Sequence, residues 1–389
     1  MTSHPNPTVS FIVPCYNYAH YLPECMGSLL AQSYRDFEIL IMDDCSPDNT
    51  PEVAASFDDP RVRHIRHPVN LGAVANINAG IKEAKGRYLW IISPDDSLIR
   101  SDAVERYVAM MEANPRAGFI CSTVLKVQSE QAASPLRWTD HGPKDTVFPS
   151  REFYRRLVRN NRVSAPSVMV RAEAYQTVGL WDASVRCCPD WFMWCRLALR
   201  YEVAYQAEPI AHYRIHEQSE WQTGLRDQPL RVARDELKTR WLLLGIAQRE
   251  HREAAARDTV RAIVTASCRF LTSTISQGDG GSIRAEELEE ALDQYCTDQR
   301  LQRRIRRAVD TGAGNRSCLR GNIAAAREFY RRALETDPRH PYPALMAALL
   351  ASGISPVAAR LLSVLGVGGM GGKRLERLAR RVRQPRRFE

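Results

Sequence analysis

The 389-residue chain lacks several features that would assign it to a class at once. No uninterrupted apolar stretch reaches the length of a membrane span; the nearest, 344–367, is broken by Ser352, Pro356 and Arg360. Its opening residues, Met1-Thr2-Ser3-His4-Pro5-Asn6-Pro7, have no apolar core, so no secretory signal is expected. The ten cysteines include no C-x-x-C pair; they have no metal-ligand spacing and read as reduced thiols of a cytoplasmic protein. No glycine-rich phosphate loop follows the first apolar run, which argues against a nucleotidyltransferase. The formal net charge of +9 comes with no nucleic-acid recognition motif, so a nucleic-acid partner is not expected.

What is present starts with Tyr88-Leu89-Trp90-Ile91-Ile92-Ser93-Pro94-Asp95-Asp96, an apolar run that ends in two adjacent carboxylates. Open α/β sheets bind ligands at the carboxyl ends of their strands. A carboxylate pair there suits a hard divalent cation, Mg²⁺ or Mn²⁺, whose remaining ligands are water and substrate phosphates. On this stretch alone the pair also reads as a turn, or as a cap for the helix that starts near Asp102. The preceding region favours the sheet. Val9 to Pro14 reads as a buried strand broken by Pro14, Leu22 to Gln32 is amphipathic, and Phe37 to Met42 is a second apolar run ending in Asp43-Asp44. Thr50 is placed as an N-cap with Pro51 at the first helical position, Val62 to Ile65 is a short strand, and Ala73 to Ala84 is a helix. Strands and helices alternate with short connections, which predicts a largely parallel sheet.

Four segments, in order, resemble the GT-A fold glycosyltransferases of family 2, the large inverting group that uses nucleotide-sugar donors. They are VSFIVPCYNYAHYLPECMGSLLAQSYRDFEILIMDDCSPDNT, NLGAVANINAGIKEAKGRYLWIISPDDSL, GLWDASVRCCPDWFMWCRLA and EPIAHYRIHEQS, spanning roughly residues 8 to 220. The resemblance implies that Pro14, Tyr16 and Asn17 form a loop in which an aromatic ring packs on the donor base, and that Asp44 accepts a hydrogen bond from that base. It implies that Asn70 and Gly72 approach the donor, that Asp95 lies near the ribose, and that Asp96 ligates the metal beneath the diphosphate. Asp190, opening the helix that starts at Pro189, matches the catalytic base of an E-D motif; a helix N-terminal acid without catalytic duty is the competing reading. Arg214 matches a phosphate contact and His216 a metal ligand or diphosphate contact, in a Y-R-x-H-x-x-S element ending at Ser219. Pro166 to Arg171 resembles the strand under the acceptor site.

The chain departs from the family pattern where Ser93 replaces the first acid of D-x-D-D, Ile77 replaces a common arginine, and Pro189 replaces the glutamate of E-D. These departures keep open a catalytically inactive GT-A-like module that acts as an interaction scaffold. The Q-x-x-R-W element of processive synthases is absent, which favours single additions.

After about residue 221 the texture becomes helical. Arg226 to Ala256, Asp258 to Ser276 and Arg284 to Val309 are long patterns, 278–281 is a flexible break, and Gly321 to Pro338 resembles the second helix of one tetratricopeptide repeat. The tail carries eight Lys/Arg between Gly371 and Glu389 against two acids, suited to peripheral contact with an anionic membrane face or to a solvated helix face. The sequence therefore predicts an α/β protein: a GT-A (Rossmann-like, mostly parallel) catalytic domain over 1–220 and an α-helical domain over 221–389. The expected function is metal-dependent, inverting transfer of one sugar from a nucleotide-sugar donor, of UDP type, to a hydroxyl of a glycan or lipid-linked glycan acceptor, in building cell-surface polysaccharide or glycoconjugate.

Overall fold

A computed structural model describes residues 6–128, 131–216, 229–273, 285–296, 298–319 and 322–337. The chain divides into two compact units, Met1–Asp235 and Glu236–Glu389. The division falls beyond the sequence boundary at 220, because the helix Pro229–Arg249 starts in the first unit. There Asp235 accepts the backbone N–H groups of Arg186 and Cys187 at 3.0 and 2.8 Å.

The first unit is a mixed sheet. Strands β1 (Val9–Cys15), β2 (Phe37–Asp43), β3 (Val62–Arg66) and β4 (Tyr88–Ile91) lie in the order β3-β2-β1-β4, all parallel, which is half of a Rossmann-like sheet. Helices α1 (Leu22–Leu30), α2 (Thr50–Ala55) and α3 (Ala73–Glu83) make the crossovers, and β5 (Ser97–Leu98) and α4 (Ala103–Ala113) follow β4. β1 and β2 are buried along nearly their whole length, as strands covered on both faces must be, so they read as apolar runs without alternation.

The sheet continues through β6 (Ala117–Gln128), with β7 (Gln131–Pro135), β8 (Thr146–Phe148), β9 (Met169–Arg171) and the long β10 (Glu202–Arg214). β9 joins the halves, antiparallel to both β4 and β6, and β10 runs parallel to β6. The same unit also carries α5 (Ser150–Leu157), α6 (Ala172–Val178) and α7 (Pro189–Ala198).

Two expectations shift here. Pro14 does not end β1, which runs on to Cys15 paired with Asp43. The Ile12 carbonyl accepts from Ile92 on the β4 side, so Pro14, two residues on, faces the same side, where β4 has already ended and no N–H is required. Thr50 is inside its helix rather than capping it: Asp48 Oδ1 accepts both the Thr50 N–H at 3.2 Å and its hydroxyl at 2.6 Å.

Gly86 marks the closest approach of chain to sheet. A Cβ there would lie 2.5 Å from the Ser10 backbone nitrogen, and the Gly86 N–H donates to Ser10 Oγ, which donates to buried Glu38. Gly86→Ala is expected to cost about 1–3 kcal/mol through overpacking against backbone that cannot yield. Urea denaturation checks this, and an unchanged midpoint would contradict it.

Within the second unit, and in the helix leading into it, the long patterns break where the sequence did not place breaks. α8 (Pro229–Arg249) ends before His251, whose φ of 53° is left-handed, and α9 (Glu253–Ser273) follows. α10 (Ala285–Tyr295) and α11 (Gln299–Leu319) replace one expected helix, because Asp298 accepts the N–H groups of Arg300 and Leu301 and so caps a new start. The tetratricopeptide-like segment forms α12 (Ile323–Thr336) against α11, with Tyr330 donating to Asn315 at 2.6 Å. Buried Arg240 is matched by Glu236, which also accepts Arg269 at 2.8 Å. Ser219, the 278–281 break and the basic tail lie outside the described residues. No helix among those described is long and apolar enough to cross a membrane.

Candidate active site

The carboxyl ends of β1, β2 and β4 gather the first group of residues. Just past β1 and β2, Asn17 and Cys45 hold left-handed backbone, with φ of 59° and 61°. The two turns are tied together by the Asn17 N–H donating to Ser46 Oγ at 3.2 Å. Tyr16 is 49 % exposed on this rim, and Val69 and Leu71 are exposed in the β3–α3 loop. Asp44 is buried and its carboxylate is aimed at that loop, Oδ1 accepting from Leu71 N–H at 2.8 Å and Oδ2 from Gly72 N–H at 2.9 Å. Gly72, at φ 85°, also donates to Asn70 Oδ1. Asp44 thus fixes the Asn70-Leu71-Gly72 turn; each of its oxygens keeps a second lone pair for a base N–H. Its neighbour Asp43 is fully buried against Arg66 and the Ser46 amide, and is structural.

The acids after β4 form the second group. Asp96 is buried and gives Oδ1 to the Arg214 backbone N–H at 3.0 Å, leaving Oδ2 as its second oxygen. Asp95 Oδ2 meets His216 Nε2 at 3.0 Å, while its buried Oδ1 has no hydrogen-bond partner. Burial, then the charge of Asp95, holds the Asp96 carboxyl well above the usual range. The Arg214 side chain donates from Nε to the Asp95 carbonyl at 3.0 Å, and from one terminal nitrogen to both Glu24 oxygens at 2.6 Å, over the Tyr21 ring. His216 packs edge-on to Tyr18 and tilted against Tyr21. As placed, Arg214 and His216 brace the acid pair; a phosphate contact from Arg214 requires it to leave Glu24.

These residues fit a divalent cation. The donor set is carboxylate oxygen with an imidazole beside it, and one buried carboxylate oxygen is unspent. Among the described residues no group of three or more His, Cys, Asp or Glu converges as a complete cage, so phosphate and water would have to complete the coordination shell.

Asp190 sits in the first turn of α7, whose Trp191, Phe192 and Trp194 are buried. Burial raises its carboxyl to about 6, against the opposing effect of the Trp191 N–H and of the Asn161 side chain, which donates to Asp190 Oδ2 at 3.3 Å. Burial raises the Tyr213 phenol, and the negative charges of Asp96, Asp190 and Asp95 push it the same way.

Tyr213, Asn161 and Glu24 received no role from the sequence, and each makes its contact across a large sequence separation. Pro166 to Arg171, which the resemblance sets under the acceptor site, lie inside the fold and end in β9. All six residues are buried, the Pro166 carbonyl accepts from Trp90, and the Arg171 guanidinium is occupied by the carbonyls of Ala117, Met111 and Asn114. Ile77, where relatives carry arginine, is a core residue of α3.

A 3-2-1-4 parallel half-sheet with acids at its carboxyl edge is the Rossmann-like arrangement of a GT-A fold. Residues 10–177 match the family model described as Glycosyl transferase family 2. An uncharacterized glycosyltransferase of Rickettsia prowazekii (strain Madrid E) is 26 % identical over 226 residues, covering 57 % of this chain and 68 % of its own length. TuaG of Bacillus subtilis (strain 168), named provisionally for teichuronic acid biosynthesis as a glycosyltransferase, is 27 % identical over 212 residues, covering 54 % and 79 %. The crystal structure of S. aureus TarS 1-349 in complex with UDP-GlcNAc superposes with a TM-score of 0.58 at 16 % identity, covering 85 % of this chain and 91 % of that one. The N-terminal unit therefore carries a glycosyl transferase family 2 domain on a GT-A-like fold. Asp190, Arg214 and His216 lie beyond the residues matched by the family model.

Proposed function

We propose that the first unit transfers a single sugar, with inversion, from a nucleotide-sugar donor to a hydroxyl of a glycan or lipid-linked glycan acceptor, in the assembly of a cell-surface polysaccharide or glycoconjugate. The observation that carries this reading is the pair of adjacent acids at the carboxyl edge of the sheet, Asp96 holding the Arg214 N–H and Asp95 keeping one buried oxygen unspent, together with an Asp190 carboxyl raised to about 6 by burial. Tyr16 offers its exposed ring to the base and Asp44 its remaining lone pairs, with Pro14 and Asn17 shaping the turn and Asn70 and Gly72 approaching the donor. A uracil donor suits these contacts, and TarS, of the same fold, binds UDP-GlcNAc. TuaG's name supports the polysaccharide setting. Mn²⁺ or Mg²⁺ held at Asp96, with Asp95 and His216 beside it, would offset the charge on the departing diphosphate.

Asp190 takes the proton of the acceptor hydroxyl. The acceptor oxygen bonds to the anomeric carbon as the bond from that carbon to the phosphate oxygen breaks, and the nucleoside diphosphate leaves from the opposite face. Asn161 holds the Asp190 carboxylate in position, and the buried aromatics of α7 anchor the helix turn that carries it. The basic tail would rest reversibly on an anionic membrane face near a lipid-linked acceptor.

A screen of nucleotide release from UDP- and GDP-sugars by the full-length protein, with Mn²⁺ or EDTA, tests this reading. Release with a UDP-sugar, lost in EDTA, is expected; no release from any donor would leave the scaffold reading standing. Turnover should rise with pH through about 6, because Asp190 must be unprotonated to accept the proton and is protonated below that value. A profile that stays flat as pH falls through 6 would place the base elsewhere.

A further inference from the structure

Pro166 to Arg171 are buried and offer no surface to an acceptor, whereas an exposed aromatic side chain stands on a turn linked through Asn161 and Arg162 to the segment that holds Asp190. Trp138 is one of the few large apolar side chains left exposed, at 39 %, in a 3-10 turn over Arg137–Thr139 that follows β7. Three of the others, Tyr16, Val69 and Leu71, sit on the rim assigned to the donor. The turn bearing Trp138 is stiff: Thr139 is fully buried, its hydroxyl donates to the Leu136 carbonyl at 2.7 Å and accepts from the Val124 N–H at 3.2 Å, and the Leu136 N–H donates back to Val124.

Register places this turn relative to the acids. Tyr213 of β10, whose neighbour Arg214 donates its backbone N–H to Asp96, pairs with Lys126 of β6, and Lys126 pairs with Ser134 of β7. Two strand spacings of about 4.8 Å put the end of β7 roughly 10 Å from Tyr213. A second link runs through adjacent residues: Asn161 donates to Asp190, and Arg162 donates to the carbonyl of Asp140, two residues after Trp138. His141 Nε2 reaches the Arg162 carbonyl at 2.9 Å, so the 138–141 turn and the segment that holds the base form one connected piece.

We propose that Trp138 is the stacking platform of an outer acceptor subsite, which holds a pyranose ring beyond the one whose hydroxyl is deprotonated by Asp190. A pyranose has an apolar face of C–H bonds and a rim of hydroxyls, so it fits a flat aromatic surface flanked by polar groups. The exposed side chains of Arg137 and Asp140 supply those groups. The subsite rests on the transfer reading above and deepens it: the acceptor is an oligosaccharide of at least two rings, recognised along its length.

The test follows the Trp138 indole N–H resonance of the full-length protein, identified by its absence in Trp138→Phe. Cellotriose, chitotriose and maltotriose are titrated beside glucose. At least one trisaccharide should shift this resonance, more than glucose at equal concentration, and should bind about 3- to 10-fold more weakly to Trp138→Ala. Trp138→Phe should retain most of the affinity, and hydrolysis of donor to water should be unchanged in both variants. No shift with any trisaccharide, or equal binding by Trp138→Ala, overturns the subsite. Binding at Trp138 without hydrolysis of any donor would support the subsite while removing the transfer reading.

Discussion

Asp190→Asn should lower kcat by about 10²–10⁴-fold, while the dissociation constant for the nucleoside diphosphate stays within about 2-fold of wild type. The asparagine keeps the shape and the contact with Asn161 but cannot take a proton from the attacking hydroxyl, so the loss falls on the transition state. At about 1.4 kcal/mol per tenfold, the effect corresponds to roughly 3–6 kcal/mol. A merely structural Asp190 predicts a different result. A carboxyl raised to about 6 by burial holds an unfavourable charge at neutral pH, so removing that charge should leave the protein as stable or more so, with activity intact. Measuring kcat, nucleotide affinity and thermal midpoint on one preparation separates the two, and near-normal turnover removes Asp190 from the mechanism.

Asp96→Ala should abolish turnover and weaken Mn²⁺-dependent binding of UDP by about 10- to 100-fold, as followed by calorimetry with and without EDTA. The expectation rests on geometry: Asp96 is buried at the carboxyl edge beside Asp95, and no third acid, histidine or cysteine among the described residues completes a cage. UDP binding in EDTA should differ little between the two proteins. Full wild-type activity in excess EDTA would exclude a divalent cation from the reaction.

The donor half was legible because parallel strands buried on both faces announce themselves as apolar runs, and acids at their ends are conspicuous. Val9 to Cys15, Phe37 to Asp43 and Tyr88 to Ile91 were all placed within a residue or so. Periodicity could not supply pairings between residues far apart in the chain. Glu24 with Arg214, Asn161 with Asp190, and Asp96 with the Arg214 N–H depend on strand order and on a β10 that slips three residues against β6 between Gln206 and Ala211. Local polarity misled at Pro14, where the missing N–H matters only if a neighbour strand asks for it, and in the helical unit, where Asp298 restarts a helix that the apolar pattern had run through. The resemblance supplied roles for Asp44 and Arg214 but not their present partners, since backbone amides and Glu24 leave no trace in a motif.

Asn17 and Cys45 have left-handed backbones at the ends of adjacent strands, each in a conformation that costs a non-glycine residue roughly 1–3 kcal/mol. Glycine would relax both turns, and so would stabilise the domain while loosening the aim of Tyr16 and Asp44. At these two positions the stability of the fold and the fixed aim of Tyr16 and Asp44 pull in opposite directions.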